Sequence, residues 1–366
     1  MMKIVQTIKY FEPSKGGMES VAKNLVAGIK KNNPNFDVTV VCNNHEKNDK
    51  TIVENVLGVD VVRFKSFFYK SQPISFLFKG LKRILGEADV VNHHYPFPTM
   101  ELALLKNIKI LEKKNFIITW HANIQNSRWS WIENFYNPMI KRLLEAASTI
   151  IVTSPQLFEY SQILKPYQDK VEVIPLSFEP HNEIVSPKIL TGKLKILFVG
   201  KLREYKGLKF LIEAVKNLDV SIDIVGNGEQ EGELRTMINF TNQQEKIKLH
   251  TDVNDVELKN YYKNADVFVL PSINEAEAFG VVQLEALSYA LPVINTNLKS
   301  GVPFVSLDNV TGFTVAPSNT IELEKAIEKL ILNPTLYASF SKNALDRAIE
   351  FSNEKMVEKY LNVYAN

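Results

Sequence analysis

The residues able to do chemistry fall in a few short stretches. One is Pro271-Ser272-Ile273-Asn274-Glu275-Ala276-Glu277-Ala278-Phe279-Gly280, leading into Val281-Val282-Gln283-Leu284-Glu285. An apolar run ends at Pro271, a polar loop follows, and a helical pattern starts near Gly280. Free backbone amides at a helix start form an anion site suited to a phosphate. A glycine there lets the ligand approach the main chain, so Phe279, Gly280 and Val281 are candidate phosphate-binding positions. Glu277 lies just before the helix and Glu285 about one and a half turns into it. One carboxylate thus reaches a group beyond the anion and the other a group behind it. Ionised carboxylates only accept hydrogen bonds, which suits sugar and ribose hydroxyls. Taken alone, the spacing equally fits an exposed acidic loop and a chance glutamate on a helix.

A second stretch, Val199-Gly200-Lys201-Leu202-Arg203-Glu204-Tyr205-Lys206-Gly207, sets three cations within six positions after an apolar run. Cations at a strand's carboxyl end can stabilise a departing diphosphate; the plainer reading is a solvated basic turn. In Lys15-Gly16-Gly17-Met18-Glu19-Ser20, paired glycines let amides face an anion, although a glycine turn before a helix needs no ligand. His121, in Thr119-Trp120-His121-Ala122-Asn123, ends an apolar strand at the edge of an expected cleft. His93 and His94 end another strand and are candidates for an acceptor pocket. Gly226, in Val225-Gly226-Asn227-Gly228-Glu229, offers a tight turn that shapes a nucleotide pocket.

The elements that position these groups alternate between strand and helix. Apolar runs at Ile4–Ile8, Val38–Cys42, Val59–Phe64, Ala88–Asn92, Phe116–Trp120, Thr149–Thr153 and Val171–Ile174 are rich in β-branched residues and lack strict alternation. That is the pattern of parallel strands covered on both faces. Met18, Val21, Ala22, Leu25, Val26 and Ile29 form one helical stripe. A linker-like stretch from Pro175 to Pro187 follows. The pattern then restarts at Lys195–Gly200, Ser221–Gly226, Lys246–His250, Asp266–Pro271, Leu291–Thr296 and Gly312–Val315. The fold class is therefore α/β, with two doubly wound Rossmann-like domains facing across a cleft. The expected boundaries are 1–178, 179–350 and a closing helix over 351–366. That helix either completes the second domain or crosses back to the first.

At 366 residues the chain is long enough for two cores, and its net charge of +2 gives no electrostatic case for nucleic acid. A single cysteine, Cys42, excludes a disulfide framework and a Cys-built zinc site. Met1–Val5 runs into a strand without a signal-peptide pattern, and no stretch reaches the roughly 18 apolar residues of a membrane span. The expected location is cytoplasmic. From Phe67 to Leu85 aromatics mix with Lys70, Lys79, Lys82 and Arg83. This segment reads either as a helix packed on the first domain or as a patch for anionic lipid.

The Glu277–Glu285 stretch, with Ala265–Ser272 before it and Leu291–Ile294 after it, resembles the E-x7-E motif of the family 4 glycosyltransferases. In that family the first glutamate contacts the donor sugar and the second the nucleotide ribose. Val199–Gly207 resembles the family's V-G-R-L…K-G segment, whose arginine and lysine clamp the donor diphosphate. This chain has Lys201 in place of that arginine, which keeps the charge but not the bidentate fork, so Lys201 and Arg203 share that assignment. Gly16 and Gly17 match the family's G-G-x-E loop, and His121 its sugar-contacting histidine. The resemblance covers nearly the whole chain. It implies the GT-B fold, a terminal helix crossing back to the first domain, and a role in bacterial surface polysaccharides such as O-antigen or capsule.

The implied reaction is retaining transfer of a hexose from a nucleoside-diphosphate sugar, GDP-mannose foremost, to a glycan or lipid-linked hydroxyl. No metal or other cofactor is expected. His121, Glu277, Lys206 and Arg203 are the expected catalytic groups, with Lys201, Gly226 and Glu285 on the donor. A front-face displacement is favoured over a covalent route through Glu277. A nucleotide-sugar epimerase, a phosphorylase and a non-catalytic binding scaffold are the competing readings. An oxidoreductase lacks its G-x-G-x-x-G fingerprint here.

Overall fold

A computed structural model describes residues 2–14, 16–46, 50–69, 72–123, 133–178, 181 and 183–365. Lys15, Lys70, Pro180 and Asn182 lie outside the described residues. The chain divides into two compact units, Met1–Ser177 with Asn353–Asn366, and Phe178–Ser352.

The first unit is built on β1 (Lys3–Thr7), β2 (Asp37–Asn43), β3 (Ile52–Val56), β4 (Val59–Phe64), β5 (Phe67–Tyr69), β6 (Gln72–Ile74), β7 (Val90–Tyr95), β8 (Asn115–Trp120), β9 (Thr149–Val152) and β10 (Val171–Val173). Eight of these form one sheet, ordered β10-β9-β8-β7-β1-β2-β4-β3. All its pairings are parallel except that of β3 with β4. Every residue of β7 is buried, as expected of a central strand covered on both faces. The edge strand β3 has no counterpart in the sequence reading. Its residues are largely exposed, so Ile52–Val56 carries no apolar run to signal it.

The second unit contains β11 (Leu194–Val199), β12 (Val220–Val225), β13 (Ile247–His250), β14 (Val267–Leu270), β15 (Val293–Thr296) and β16 (Gly312–Val315). They form a wholly parallel sheet ordered β13-β12-β11-β14-β15-β16. In each sheet the strand order reverses once, between β1 and β7 and between β11 and β14. The carboxyl ends of strands at such a reversal are where doubly wound sheets bind ligands.

The Gly17–Asn32 helix buries Val21, Ala22, Leu25, Val26 and Ile29. Its Gly28 meets the Asn353–Ala365 helix so closely that a Cβ there would lie 2.4 Å from Val357 Cγ2. Asn353 Nδ2 donates to Asn24 O at 3.2 Å across the same contact. The terminal helix buries Met356, Val357, Tyr360, Val363 and Tyr364 within the first unit. Cys42 is buried beside Arg63 Nη1, and burial pushes its thiol up to about 12, which makes it unreactive.

The Phe67–Leu85 segment is not one helix. β5 and β6 pair antiparallel, and among the described residues of the segment the helix is confined to Leu81–Glu87. Pro73 within β6 and Gly80, with φ of 91°, break any longer helix.

Candidate active site

In the second unit, two loops meet at the carboxyl ends of β11 and β14. Ile273 N donates to Tyr205 O at 2.8 Å. Gly207, with φ of 67°, sits so close that a Cβ would fall 2.1 Å from Pro271 O. This apposition requires glycine both for its left-handed backbone and for its missing side chain. It brings Lys206 and Glu277, 71 positions apart, into a buried ion pair between Nζ and Oε2. Ser272 Oγ donates to the same carboxylate oxygen at 3.1 Å. The two side chains are only 8% and 10% exposed, so each charge depends on the other for solvation. Lys201 and Arg203 flank the pair on the same loop and are exposed. Neither forms an ion pair with a described residue. Gly226 packs its backbone on Gly200, where a Cβ would come within 1.9 Å of Gly200 O.

Beyond Glu277 the chain turns through Gly280, whose φ is 72°, into the Val282–Ser288 helix. Phe279 is buried against Phe304 and Phe351, with ring centroids 6.5 and 6.2 Å away. Gln283 Nε2 donates to Phe279 O and Val302 O, and Asn295 Nδ2 donates to Gln283 Oε1 at 2.9 Å. This buried amide network fixes the turn from which Gly280 and Val281 present their amides. Glu285 accepts a hydrogen bond from the Tyr262 hydroxyl at 2.7 Å, and Tyr262 stacks on Tyr289. Burial holds the Glu285 carboxyl above its ordinary range, with Asp255 adding to the shift and the Tyr262 hydroxyl opposing it.

In the first unit the candidates sit at the carboxyl ends of the strands beside the reversal. Gly16 caps the Gly17–Asn32 helix after β1, and Ser20 N donates to its carbonyl. Gly16 and Gly17 are both exposed. His121 follows β8; its amide donates to Tyr95 O at 3.1 Å, and Tyr95 stacks on Trp120 at 3.6 Å. His94, at the end of β7, stacks on His121 and bonds to it, Nδ1 to Nε2, at 2.8 Å. His93 is turned away from that pair, toward Thr7 Oγ1 at 2.8 Å and Glu101 Oε1 at 3.3 Å. Among the described residues, no group of three or more His, Cys, Asp or Glu side chains is placed to hold a metal ion.

Sequence reasoning missed Tyr262, Ser272 and Gln6. Ser272 lies within a matched stretch but carried no role of its own. Tyr262 reaches Glu285 in the second unit and Gln6 reaches His94 in the first, each from another element, and no local spacing points to them.

Two doubly wound sheets with charged loops at their reversals define the chain as a GT-B fold. It matches sucrose-phosphate synthase from Thermosynechococcus elongatus at a TM-score of 0.77 and 18% identity, over 100% of this chain and 98% of that one. A glycosyltransferase from Rickettsia africae matches at 0.73 and 21% identity, over 99% and 97%. The family models Glycosyltransferase Family 4 and Glycosyl transferases group 1 match residues 15–180 and 181–347. The chain belongs to this glycosyltransferase family. It is 27% identical to O-antigen chain mannosyltransferase C of Escherichia coli, over 99% of this chain and 98% of that protein. It is 28% identical to D-rhamnosyltransferase WbpZ of Pseudomonas aeruginosa, over 73% and 71%.

Proposed function

We propose that the chain transfers a hexose from a nucleoside-diphosphate sugar, with retention and without a metal, to a hydroxyl of a glycan or lipid-linked acceptor in surface-polysaccharide synthesis. The observation that carries this reading is the buried Lys206–Glu277 pair at the carboxyl ends of β11 and β14. Lys206, with Arg203 and Lys201, neutralises the charge that develops on the departing diphosphate, assisted by the amides of Gly280 and Val281. Glu277 and His121 hold the sugar, and Glu285 the ribose. Gly16 and Gly17 approach the phosphates with backbone alone. GDP-mannose is the donor we favour, on the strength of the full-length similarity to an O-antigen mannosyltransferase. The family matches and the full-length relative favour a transferase over a nucleotide-sugar epimerase or a non-catalytic scaffold.

Thermal shift against GDP, UDP and their sugars, with EDTA present, tests the donor site, because a ligand bound to the folded state raises its apparent stability. A shift with GDP-mannose that survives EDTA is expected, and none with any nucleotide would overturn the reading. The affinity carries a pH signature. Ribose hydroxyls donate to the ionised form of Glu285, so nucleotide binding strengthens as pH rises through its elevated pKa and is lost as pH falls through it. Glu285→Gln is expected to flatten this dependence. Tyr262→Phe removes the hydroxyl that favours the charged form, and should move the transition to higher pH. Unchanged profiles in both variants would remove Glu285 from the ribose site.

We also propose that the protein works on the cytoplasmic face of an anionic membrane. No described helix is long and apolar enough to cross a membrane. Phe67, Phe68, Phe76 and Leu77 are nonetheless exposed, Phe76 and Leu77 by 64% and 68%. Lys79, Lys82 and Arg83 are exposed beside them in sequence. Apolar wedges next to cations suit the interface of an anionic bilayer. Flotation with phosphatidylglycerol vesicles is expected and should fall in a Lys79→Glu/Lys82→Glu/Arg83→Glu variant. Equal flotation with neutral vesicles would rule the patch out.

A further inference from the structure

The histidine pair at the ends of β7 and β8 is embedded in a buried amide network. His94 Nε2 lies 3.0 Å from Gln6 Oε1, while its Nδ1 faces His121 Nε2. Gln6 Oε1 also accepts from Asn92 Nδ2 at 3.0 Å, and Gln6 Nε2 donates to the Tyr364 hydroxyl at 2.8 Å. Asn92 Nδ2 donates to the same hydroxyl at 3.0 Å, and Asn92 Oδ1 accepts from Thr119 Oγ1 at 2.8 Å. Gln6, Asn92 and His94 are wholly buried.

These contacts fix both amides. Turning Gln6 alone would set its NH2 against that of Asn92. Turning both would press two carbonyl oxygens on one phenol that has a single proton to give. With the Gln6 oxygen facing it, His94 must carry its proton on Nε2. Its Nδ1 then only accepts, so His121 must carry its own proton on Nε2. What remains is His121 Nδ1, a buried lone pair with no hydrogen-bond partner among the described residues.

We propose that Gln6 and His94 are positioning residues that lock His121 as its Nε2–H tautomer, presenting Nδ1 as a dedicated acceptor for a hydroxyl of the bound sugar. A lone pair buried this way is costly until a donor reaches it, so the site selects a ligand with a hydroxyl at that point. The inference rests on the reading of His121 as a sugar contact, but the tautomer itself does not depend on that reading. Burial, and next the neighbouring His93, push His121 down to about 3. Burial, then His121 and His93, also push His94 well below the ordinary imidazole range. The other titratable groups nearby are His93, paired with Glu101, and the phenols of Tyr360 and Tyr364. Burial drives both phenols upward, so they stay neutral. Tyr364 belongs to the terminal helix, which thereby takes part in setting the tautomer.

Nitrogen-15 NMR of imidazole-labelled full-length protein reads the tautomers directly. Both rings are expected to be neutral and protonated at Nε2 from pH 5 to 8. GDP-mannose should shift the His121 Nδ1 resonance, and GDP alone should leave it in place. His121 protonated at Nδ1, or either ring titrating in that range, would overturn the proposal. The expected tautomer with no response to any nucleotide sugar would instead count against the sugar-contact reading alone. Gln6→Glu supplies a second readout, because a carboxylate beside His94 favours its imidazolium. A charged His94 donates through Nδ1 and forces the His121 proton onto Nδ1. At saturating donor, where the Glu285 effect on affinity drops out, transfer by Gln6→Glu should then fall about tenfold per pH unit below the new pKa, while the parent's stays flat. A pH-independent loss in Gln6→Glu would reduce Gln6 to a structural part.

Discussion

Lys206→Ala is expected to lower kcat about 10²–10³-fold, the usual cost of removing one group that stabilises a departing anion. It should also destabilise the protein by ~3–5 kcal/mol, because Glu277 would stay buried without its cation. Both effects follow from one contact, and a second variant separates them. Lys206→Met/Glu277→Gln leaves no uncompensated charge, and the amide that replaces the carboxylate can still accept from Ser272. The double variant should recover most of the melting temperature while activity stays lost. Steady-state kinetics at saturating donor, alongside thermal denaturation, measure the two effects. Activity of Lys206→Ala within tenfold of the parent would remove Lys206 from the leaving-group site, whatever its melting temperature.

The pairing behind this prediction illustrates which parts of the molecule the sequence makes legible. The parallel strands were readable because burial on both faces forces continuous apolar runs, as in Val90–Tyr95 and Leu194–Val199. The edge strand Ile52–Val56 lacked that signal because most of it faces solvent. For the Phe67–Leu85 segment the packed-helix alternative fails, because Pro73 and Gly80 decide the backbone. Motifs point to Glu277, Lys206 and Glu285 as candidates, but not to their neighbours. The bonds from Ser272 to Glu277, Tyr262 to Glu285 and Gln6 to His94 span 5, 23 and 88 positions. Only folding brings the last two pairs together, so single-sequence spacing holds no trace of them. The same limit applies to charge state. Sequence says nothing of the protonation of His121, whereas burial and its partners fix both its neutrality and its proton.

For the retaining transfer proposed above, Glu277→Gln discriminates between two routes. A nucleophilic carboxylate needs an oxygen whose electrons are available to the anomeric carbon. Glu277 Oε2 accepts from both Lys206 Nζ and Ser272 Oγ, and these hydrogen bonds draw charge from the delocalised carboxylate, lowering the nucleophilicity of its other oxygen as well. That arrangement suits a group that holds a sugar hydroxyl while the departing phosphate oxygen takes the acceptor's proton. The amide of the variant would keep one carbonyl acceptor for Ser272 and lose the charge, so the expected loss is that of a charged hydrogen bond, about 10–100-fold in kcat/KM. Loss of a covalent nucleophile would be far larger, on the order of 10⁶-fold in kcat. Azide addition supplies an independent measure, since a small anion in the space left by Glu277→Ala restores turnover only if that space is where a nucleophile acts. Residual activity in Glu277→Gln without azide rescue of Glu277→Ala is the expected result. Near-complete inactivity with a rescued glycosyl azide would instead place a covalent bond on Glu277.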